Sequence, residues 1–307
     1  MIKQSFDYLQ KLKPIHSIAS FSRKFIIPGT GGLALSHVLR VFIKGIQKGS
    51  ITSRASATAF NFFLAVFPSI IFLFTLIPYV PIDNFQDQLM DLMKQFMPRA
   101  AFEATESTLE DIIKNQHGSL LSFGFVAALY FSTNGFNAMI EAFNSSYHSI
   151  ESRSLLMQRL ISLLLVFILT MLILTAVSLI IVSEFALHKI FHRDLFASYL
   201  IQIGRILIIF SLFFFVISFT FYLGPSKKTG WKFFTPGSFL ATALSILTSV
   251  GFAFYVNNFG QYNKLYGSIG TLIVVLLWIY FNSLVILIGF ELNASIHTAK
   301  RDKEIRS

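Results

Sequence analysis

Six long stretches of this chain contain no Asp, Glu, Lys or Arg, and they restrict its fold more than any other feature. A helix needs roughly 20 apolar residues to cross a bilayer core, and each stretch is long enough. Charged residues make up 13% of the chain, about half their share in a soluble domain. We therefore predict an all-α polytopic membrane protein with a six-transmembrane-helix bundle, its spans at about 57–80, 119–142, 158–183, 203–224, 236–258 and 266–295.

The remaining segments lie around this transmembrane domain, which we place at residues 55–298. Residues 1–54 form a basic N-terminal segment, and residues 299–307 form a short tail. Within the N-terminal segment, apolar and basic residues occupy different sides of a predicted helix from Leu35 to Gly49. This pattern fits an interfacial helix at the inner leaflet as well as it fits a helix packed under the bundle.

The loop between the first two spans has its own periodicity. Apolar residues recur at helical spacing through residues 83–117, and Pro98 interrupts them. We predict two short amphipathic helices here, on the outer side of the membrane.

Lysine and arginine are distributed unevenly between the two sides of the predicted bundle. Eighteen lie in the terminal segments and in the loops on their side, and six lie in the alternate loops. Because basic residues are retained in the cytoplasm, we predict that both termini are cytoplasmic. The net charge of +10 then lies where anionic lipid headgroups attract it. We expect the lipid bilayer and anionic lipids at the cytoplasmic face as partners and no nucleic acid, and we leave homo-oligomer formation open.

Candidate catalytic and metal-binding groups are sparse. The chain has no cysteine, which excludes a thiolate nucleophile and a Cys-ligated metal. Of the seven histidines, only His188 and His192 have the spacing of a ligand pair on one helical turn, and the Glu of a metallopeptidase motif is missing between them. Phosphate-binding, serine-hydrolase and dinucleotide motifs are also missing. We predict a protein that is not an enzyme and that holds no metal or cofactor.

Polar residues at membrane depth are the best candidates for function, because lipid exposure of such groups is costly. In the second span, Asn134, Asn137 and Glu141 recur at helical spacing and share one face. Similar patterns at the first and sixth spans add residues to a predicted intramembrane polar site. Its members are Arg54, Asn61, Asn134, Asn137, Glu141, Arg159, Asn282 and Glu291.

Helix packing is the competing interpretation of these polar residues. Asn and Ser commonly join membrane helices, and packing explains the asparagines more readily than function does. Glu141 and Glu291 favour a function or a specific ion pair, because an unpaired carboxylate at that depth takes up a proton or draws in water. Arg54 and Arg159 lie at comparable depth and are the expected partners of the two carboxylates.

Three tracts of the sequence resemble a known family. They are SRASATAFNFFLAVFPSIIFLFTLIPYV (Ser53 to Val80), FYLGPSKKTGWKFFTPGSFLATAL (Phe221 to Leu244) and YGSIGTLIVVLLWIYFNSLVILIGFELNAS (Tyr266 to Ser295). They are similar to the YihY/virulence factor BrkB family, over about residues 35–298, and the last tract is the most specific. The resemblance implies a multi-pass protein of the bacterial cytoplasmic (inner) membrane with six helices. The family was once labelled ribonuclease BN and has no settled activity, and its name suggests transporter-like roles in the envelope.

Three function classes follow from these observations. A transporter or lipid-handling protein predicts that the polar faces converge on a cavity or groove, whereas a scaffold or envelope-assembly factor predicts dry packing. A ribonuclease, the remote alternative, predicts a clustered metal site on the cytoplasmic side. We favour a transporter for an amphiphilic envelope component, with Glu141 or Glu291 as a proton-coupling or ion-pairing group.

Overall fold

The described part of the chain consists of helices and short turns. The computed structural model describes residues 35–48, 50–80, 84–96, 99–146, 153–190, 195–226, 233–259 and 268–305. Residues 1–34 of the predicted basic segment lie outside these ranges. The helices are α1 (Leu35–Lys48), α2 (Ile51–Leu76, continued by a 3-10 turn at Ile77–Tyr79), α3 (Phe85–Phe96), α4 (Arg99–Lys114), α5 (Gly118–Ser146), α6 (Leu155–Ile190), α7 (Leu195–Leu223), α8 (Pro236–Phe259) and α9 (Ser268–Glu304).

Six of these helices are long and apolar enough to cross a membrane by length and composition, namely α2, α5, α6, α7, α8 and α9. This confirms the predicted all-α, six-helix membrane architecture. Several helices extend beyond the predicted spans. Helix α9 continues to Glu304, through residues that the sequence assigned to the tail, and carries Arg301 and Lys303 in its last turn. Basic side chains at this position interact favourably with the negative end of the helix dipole.

The six long helices form a closed series of neighbours. Helix α2 packs against α5, α5 against α6, α6 against α7, α7 against α8, α8 against α9, and α9 returns to α2. Helix α9 also contacts α5 and α1. It therefore connects more of the bundle than its place as the last helix in the sequence suggests.

Small residues allow the closest helix approaches. A Cβ at Gly289 of α9 would lie 2.6 Å from the Gly237 carbonyl oxygen and 2.5 Å from the Ala241 Cβ, both on α8. Ala241 and Ser245, from a small-residue stripe on α8, are buried. Membrane helices commonly associate through close backbone contact of this kind. Lipid tails are as apolar as the side chains, so the hydrophobic effect contributes little and van der Waals packing is needed instead.

Three phenylalanines close the core beneath one end of the bundle. Phe143 of α5 stacks on Phe290 of α9 with ring centroids 4.1 Å apart, and Phe221 of α7 meets both rings edge-on. We call this the proximal end, where α2 begins, α5 ends and α6 begins. The phenylalanines here fill a core rather than line a groove.

Helix α1 packs along the last turns of α9 at the proximal end. Val38 is fully buried in a cluster with Ile296 and Ala299 of α9, whereas Leu39 and Ile43 are exposed. The helix therefore has one apolar edge against the bundle and a second apolar edge that is exposed. The buried edge fits a helix packed under the bundle, and the interfacial position stays a prediction.

At the opposite end of the bundle, α3 and α4 form the two-helix loop expected from the periodicity of residues 83–117. Helix α4 packs against the end of α2. Lys114 contacts Glu110 at 2.9 Å and Asp87 at 3.2 Å, which joins α4 to α3. These hydrogen bonds raise the pKa of Lys114 above its ordinary value.

Candidate functional site

A pocket of about 200 Å³ opens at the proximal end between α1, the last turn of α5 and α9. We call it the Glu291 pocket. Its lining combines one buried carboxylate, one exposed ammonium group and several hydroxyl groups. The residues are Val41, Lys44, Gly45, Ser146, Glu291, Ala294, Ser295 and Thr298.

Glu291 lies in the wall of this pocket beside Arg54. The Glu291 residue is 5% exposed, and its Oε2 is 3.9 Å from a terminal nitrogen of Arg54. Charge-assisted hydrogen bonds are usually 2.7–2.9 Å long, so the two groups attract each other without a short hydrogen bond at this contact. The buried carboxylate thus has an opposite charge close by, as its membrane position requires.

The hydrogen bonds of Arg54 go to α5. Its Nη1 donates to the Ala142 carbonyl oxygen at 2.6 Å and to the Ser146 hydroxyl at 2.8 Å. One guanidinium group therefore connects α2, α5 and α9. The Arg54 Nε is buried and has no hydrogen-bond partner within the described part of the chain.

Helix α1 contacts the Glu291 carboxylate at Gly45. A Cβ added at Gly45 would overlap the Glu291 carboxylate oxygen Oε1. Because only glycine lacks this atom, α1 lies directly against Glu291. Sequence reasoning missed Gly45 and Ser146, and the only signal for Gly45 is a glycine within an amphipathic helix.

A second group of polar residues lies between α5 and α6, and we call it the α5–α6 ledge. It contains Asn134, Asn137, Glu141, Gln158 and Arg159. Asn137 donates to Glu141 Oε1 at 3.0 Å, and Gln158 donates to the Asn137 amide oxygen at 2.6 Å and to Glu141 Oε1 at 3.4 Å. Glu141 is exposed.

Arg159 occupies the other end of the ledge. Its guanidinium donates to the Asn134 amide oxygen and lies 5.8 Å from the centre of the Tyr130 ring. The predicted pairing of arginines with carboxylates therefore occurs for Arg54 and Glu291. Among the described residues, Glu141 and Arg159 are each held by amides instead.

Asn61 and Asn282 form hydrogen bonds with neither of these groups. The Asn61 amide donates to the Ala57 carbonyl oxygen and the Asn282 amide to the Trp278 carbonyl oxygen, each at 2.9 Å within its own helix. The eight predicted site residues therefore divide into an Arg54–Glu291 pair, the ledge residues and two locally bonded asparagines. Among the described residues, no hydrogen bond or ion pair joins these three groups.

Two further polar residues, outside the predicted site, stabilise loops at the proximal end. Asn293 of α9 accepts a hydrogen bond from the Gly237 backbone N–H at 2.9 Å, which caps the beginning of α8. Arg153 donates to the carbonyl oxygens of Leu223 and Gly224 at 3.0 Å each, at the end of α7. Burial lowers the pKa of Arg153. Both residues satisfy helix ends, which is a structural role.

Comparison with known proteins places the chain among membrane proteins. The virulence factor BrkB family matches residues 42–307. YfkH of Bacillus subtilis (strain 168), whose name describes it as ribonuclease-like, is 34% identical over 259 residues, which cover 81% of this chain and 91% of YfkH.

Two UPF0761 membrane proteins are more distant. The protein of Stenotrophomonas maltophilia (strain K279a) is 28% identical over 249 residues, 79% of this chain and 56% of that protein. The protein of Haemophilus influenzae (strain 86-028NP) is 24% identical over 265 residues, 86% of this chain and 96% of that protein. No solved structure matches the chain. Since the family match runs through all six apolar helices, the chain belongs to the virulence factor BrkB family.

Proposed function

We propose that this protein is a transporter of the bacterial cytoplasmic membrane that moves an amphiphilic or lipid-like component of the envelope. In this proposal both termini are in the cytoplasm, and the Glu291 pocket opens to that side. Glu291 is the proton-coupling or ion-pairing group. The protein acts without a metal, a cofactor or a catalysed reaction.

The observation that carries the proposal is a buried carboxylate in the wall of an open pocket. Glu291 is 5% exposed but lines a space of about 200 Å³. Carboxylates at membrane depth are rare, and they typically occur along substrate and proton pathways. Glu141 supports the role less well, because it is exposed and bonded by two amides on the ledge.

A scaffold is the second candidate, and one observation favours it. The Arg54 guanidinium donates two hydrogen bonds to α5, so the Arg54–Glu291 pair also fixes the arrangement of three helices. An ion pair that only fixes helix register needs no pocket and no change of protonation.

The ribonuclease-like name of YfkH raises a nuclease alternative. Within the ranges that the structure describes, no group of three or more His, Asp or Glu is placed to hold a metal ion. We expect that purified protein leaves RNA intact with or without added divalent cations. Cleavage that copurifies with the protein through two chromatographic steps would contradict our proposal.

Flux across vesicles tests the transporter directly. The purified chain is reconstituted into liposomes with a pH gradient and supplied with fluorescent short-chain envelope lipids and small solutes. We expect flux that increases with the gradient in the wild type and in Glu141→Gln. The double variant Arg54→Gln/Glu291→Gln removes both buried charges together, so it avoids an uncompensated charge, and we expect its flux to lose the gradient dependence.

Two results would overturn the proposal. Gradient-dependent flux that is unchanged in the double variant would remove Glu291 from coupling. Absence of flux for every lipid and solute tested, with protein that stays monodisperse, would favour the scaffold.

A further inference from the structure

The α5–α6 ledge holds two opposite charges that do not pair with each other. Glu141 Oε1 accepts hydrogen bonds from Asn137 and Gln158, and the Arg159 guanidinium donates to Asn134. Within the described ranges, no salt bridge involves Glu141 or Arg159. Neutral amides thus orient both charges, and neither has a counter-ion among the described residues.

The ledge lies where charged and apolar surfaces meet. Arg159 is in the second turn of α6, and the neighbouring Leu155 and Leu156 are 86% and 72% exposed. In a membrane we expect exposed apolar side chains such as these to contact acyl chains, and charged side chains near helix ends to reach the headgroups. A ligand at the ledge therefore contacts acyl chains on one side and polar groups on the other.

The charge arrangement selects the chemistry of such a ligand. Asn134 and Glu141 are seven residues apart on α5, which is about 10 Å along the helix axis. One small ion cannot contact both ends of this interval. A zwitterion can, because its phosphate accepts hydrogen bonds from the remaining N–H groups of Arg159 and its ammonium donates to the Glu141 carboxylate.

We propose that the α5–α6 ledge binds a zwitterionic headgroup that carries a phosphate and a primary ammonium group, as in an ethanolamine phospholipid. Arg159 holds the phosphate, and Glu141 holds the ammonium. The ledge and the headgroup are each neutral overall, so binding leaves no net charge in the interface. This site is separate from the Glu291 pocket and does not depend on transport.

The primary ammonium is the discriminating group. It has three N–H donors for the Glu141 carboxylate, whereas the quaternary ammonium of a choline lipid has none. A glycerol headgroup has no positive charge at all. We therefore expect ethanolamine lipid to be preferred over choline and glycerol lipids with the same acyl chains.

Lipid retention measured by native mass spectrometry tests the site. Full-length protein in detergent is mixed with equimolar dioleoyl phosphatidylethanolamine, phosphatidylcholine and phosphatidylglycerol. In the wild type we expect about tenfold preferential retention of the ethanolamine lipid, the usual effect of one charge-assisted hydrogen bond. Glu141→Gln should abolish the preference, and Arg159→Gln should weaken retention of all three lipids while Arg159→Lys restores part of it.

Control variants and a soluble competitor complete the design. Glu106→Gln on α4 and Arg40→Gln on α1 remove exposed charges elsewhere and should leave the preference unchanged. Displacement of the lipid by millimolar O-phosphoethanolamine supports recognition of the headgroup alone, from a soluble source, and lack of displacement supports the intact lipid.

Equal retention of the three lipids by the wild type, or an unchanged preference in Glu141→Gln, would overturn the proposal. A wild-type dimer that becomes monomeric in Glu141→Gln would also overturn it, because a second copy of the chain would then occupy the ledge.

Discussion

Arg54 is the residue on which the proximal end depends most. It donates two hydrogen bonds to α5 and lies 3.9 Å from Glu291 of α9. Its hydrogen-bond acceptors, Ala142 and Ser146, are on α5, and its ion-pair partner is on α9. Substitution of Arg54 or Glu291 should therefore weaken the contacts among α2, α5 and α9.

Removing one charge of this pair should destabilise the protein more than removing both. Glu291→Gln or Arg54→Gln alone leaves a buried charge without its partner, which costs about 3–5 kcal/mol. We expect each single variant to lower the thermal unfolding temperature in detergent, and the double variant to recover a large part of the loss. Additive losses in this double-mutant cycle would mean that the two charges do not interact.

Gly45 controls how closely α1 approaches Glu291. A Cβ at this position would overlap the carboxylate, so we expect Gly45→Ala to push the Glu291 side chain aside and to weaken the contact between α1 and α9. Proteolysis between α1 and α2 should become faster in Gly45→Ala than in the wild type. Ala substitution of Gln47, an exposed residue of the same helix, is the control and should leave the rate unchanged.

At the scale of helices, a single methyl group can test the close crossing of α8 and α9. Gly289→Ala would place its Cβ 2.6 Å from the Gly237 carbonyl oxygen and 2.5 Å from the Ala241 Cβ. Neither atom belongs to a flexible side chain, so the two helices must separate. We expect a loss of roughly 1–3 kcal/mol in stability, the usual cost of overpacking.

Gly251 of α8 provides the matched control for this substitution. Among the described residues, no heavy atom of a neighbour lies within 4 Å of the point that a Cβ at Gly251 would occupy. Gly251→Ala should therefore leave the unfolding temperature unchanged or raise it. Equal effects of the two substitutions would show that helix propensity, rather than the crossing, determines the loss.

The sequence predicted the helices better than their ends. Runs without charge determine where a helix can lie in lipid, but a helix continues into the interface and water as long as its backbone bonds remain favourable. Helix α9 therefore reaches Glu304, although its charge-free stretch ends at Phe290. The division of this loop into α3 and α4 was predictable, because Pro98 interrupts the apolar pattern of residues 83–117.

The site was predictable only in part for a related reason. Glu291 and Arg54 were candidates because charges at membrane depth are costly, and the similar depth of two arginines and two carboxylates indicated pairing without indicating which arginine pairs with which carboxylate. Helical periodicity predicts which face of a helix a residue occupies, but not which other helix packs against that face. Asn61 and Asn282 were therefore grouped with residues to which they form no hydrogen bond. Gly45 has no functional group, and its role depends on the position of a different helix.

For the whole molecule, the charge asymmetry predicts the orientation. The chain has no cysteine, so single-cysteine variants report one position each without background. Ser154→Cys, between α5 and α6, and Glu106→Cys, on α4, should react with a membrane-impermeant maleimide from opposite sides of the membrane. Ser154→Cys should react from the cytoplasmic side. Labelling of both from the same side, or the reverse assignment, would contradict the proposed topology.

Cysteine accessibility tests most directly whether the Glu291 pocket is a hydrated cavity, as transport requires, or a dry contact between helices. Ser295 and Ser283 lie on the same helix and are 2% and 3% exposed, but only Ser295 lines the pocket. We predict that Ser295→Cys reacts with a small hydrophilic thiol reagent from the proximal side and that Ser283→Cys does not. If both cysteines are equally unreactive in folded protein, the pocket is dry and the transport account is contradicted.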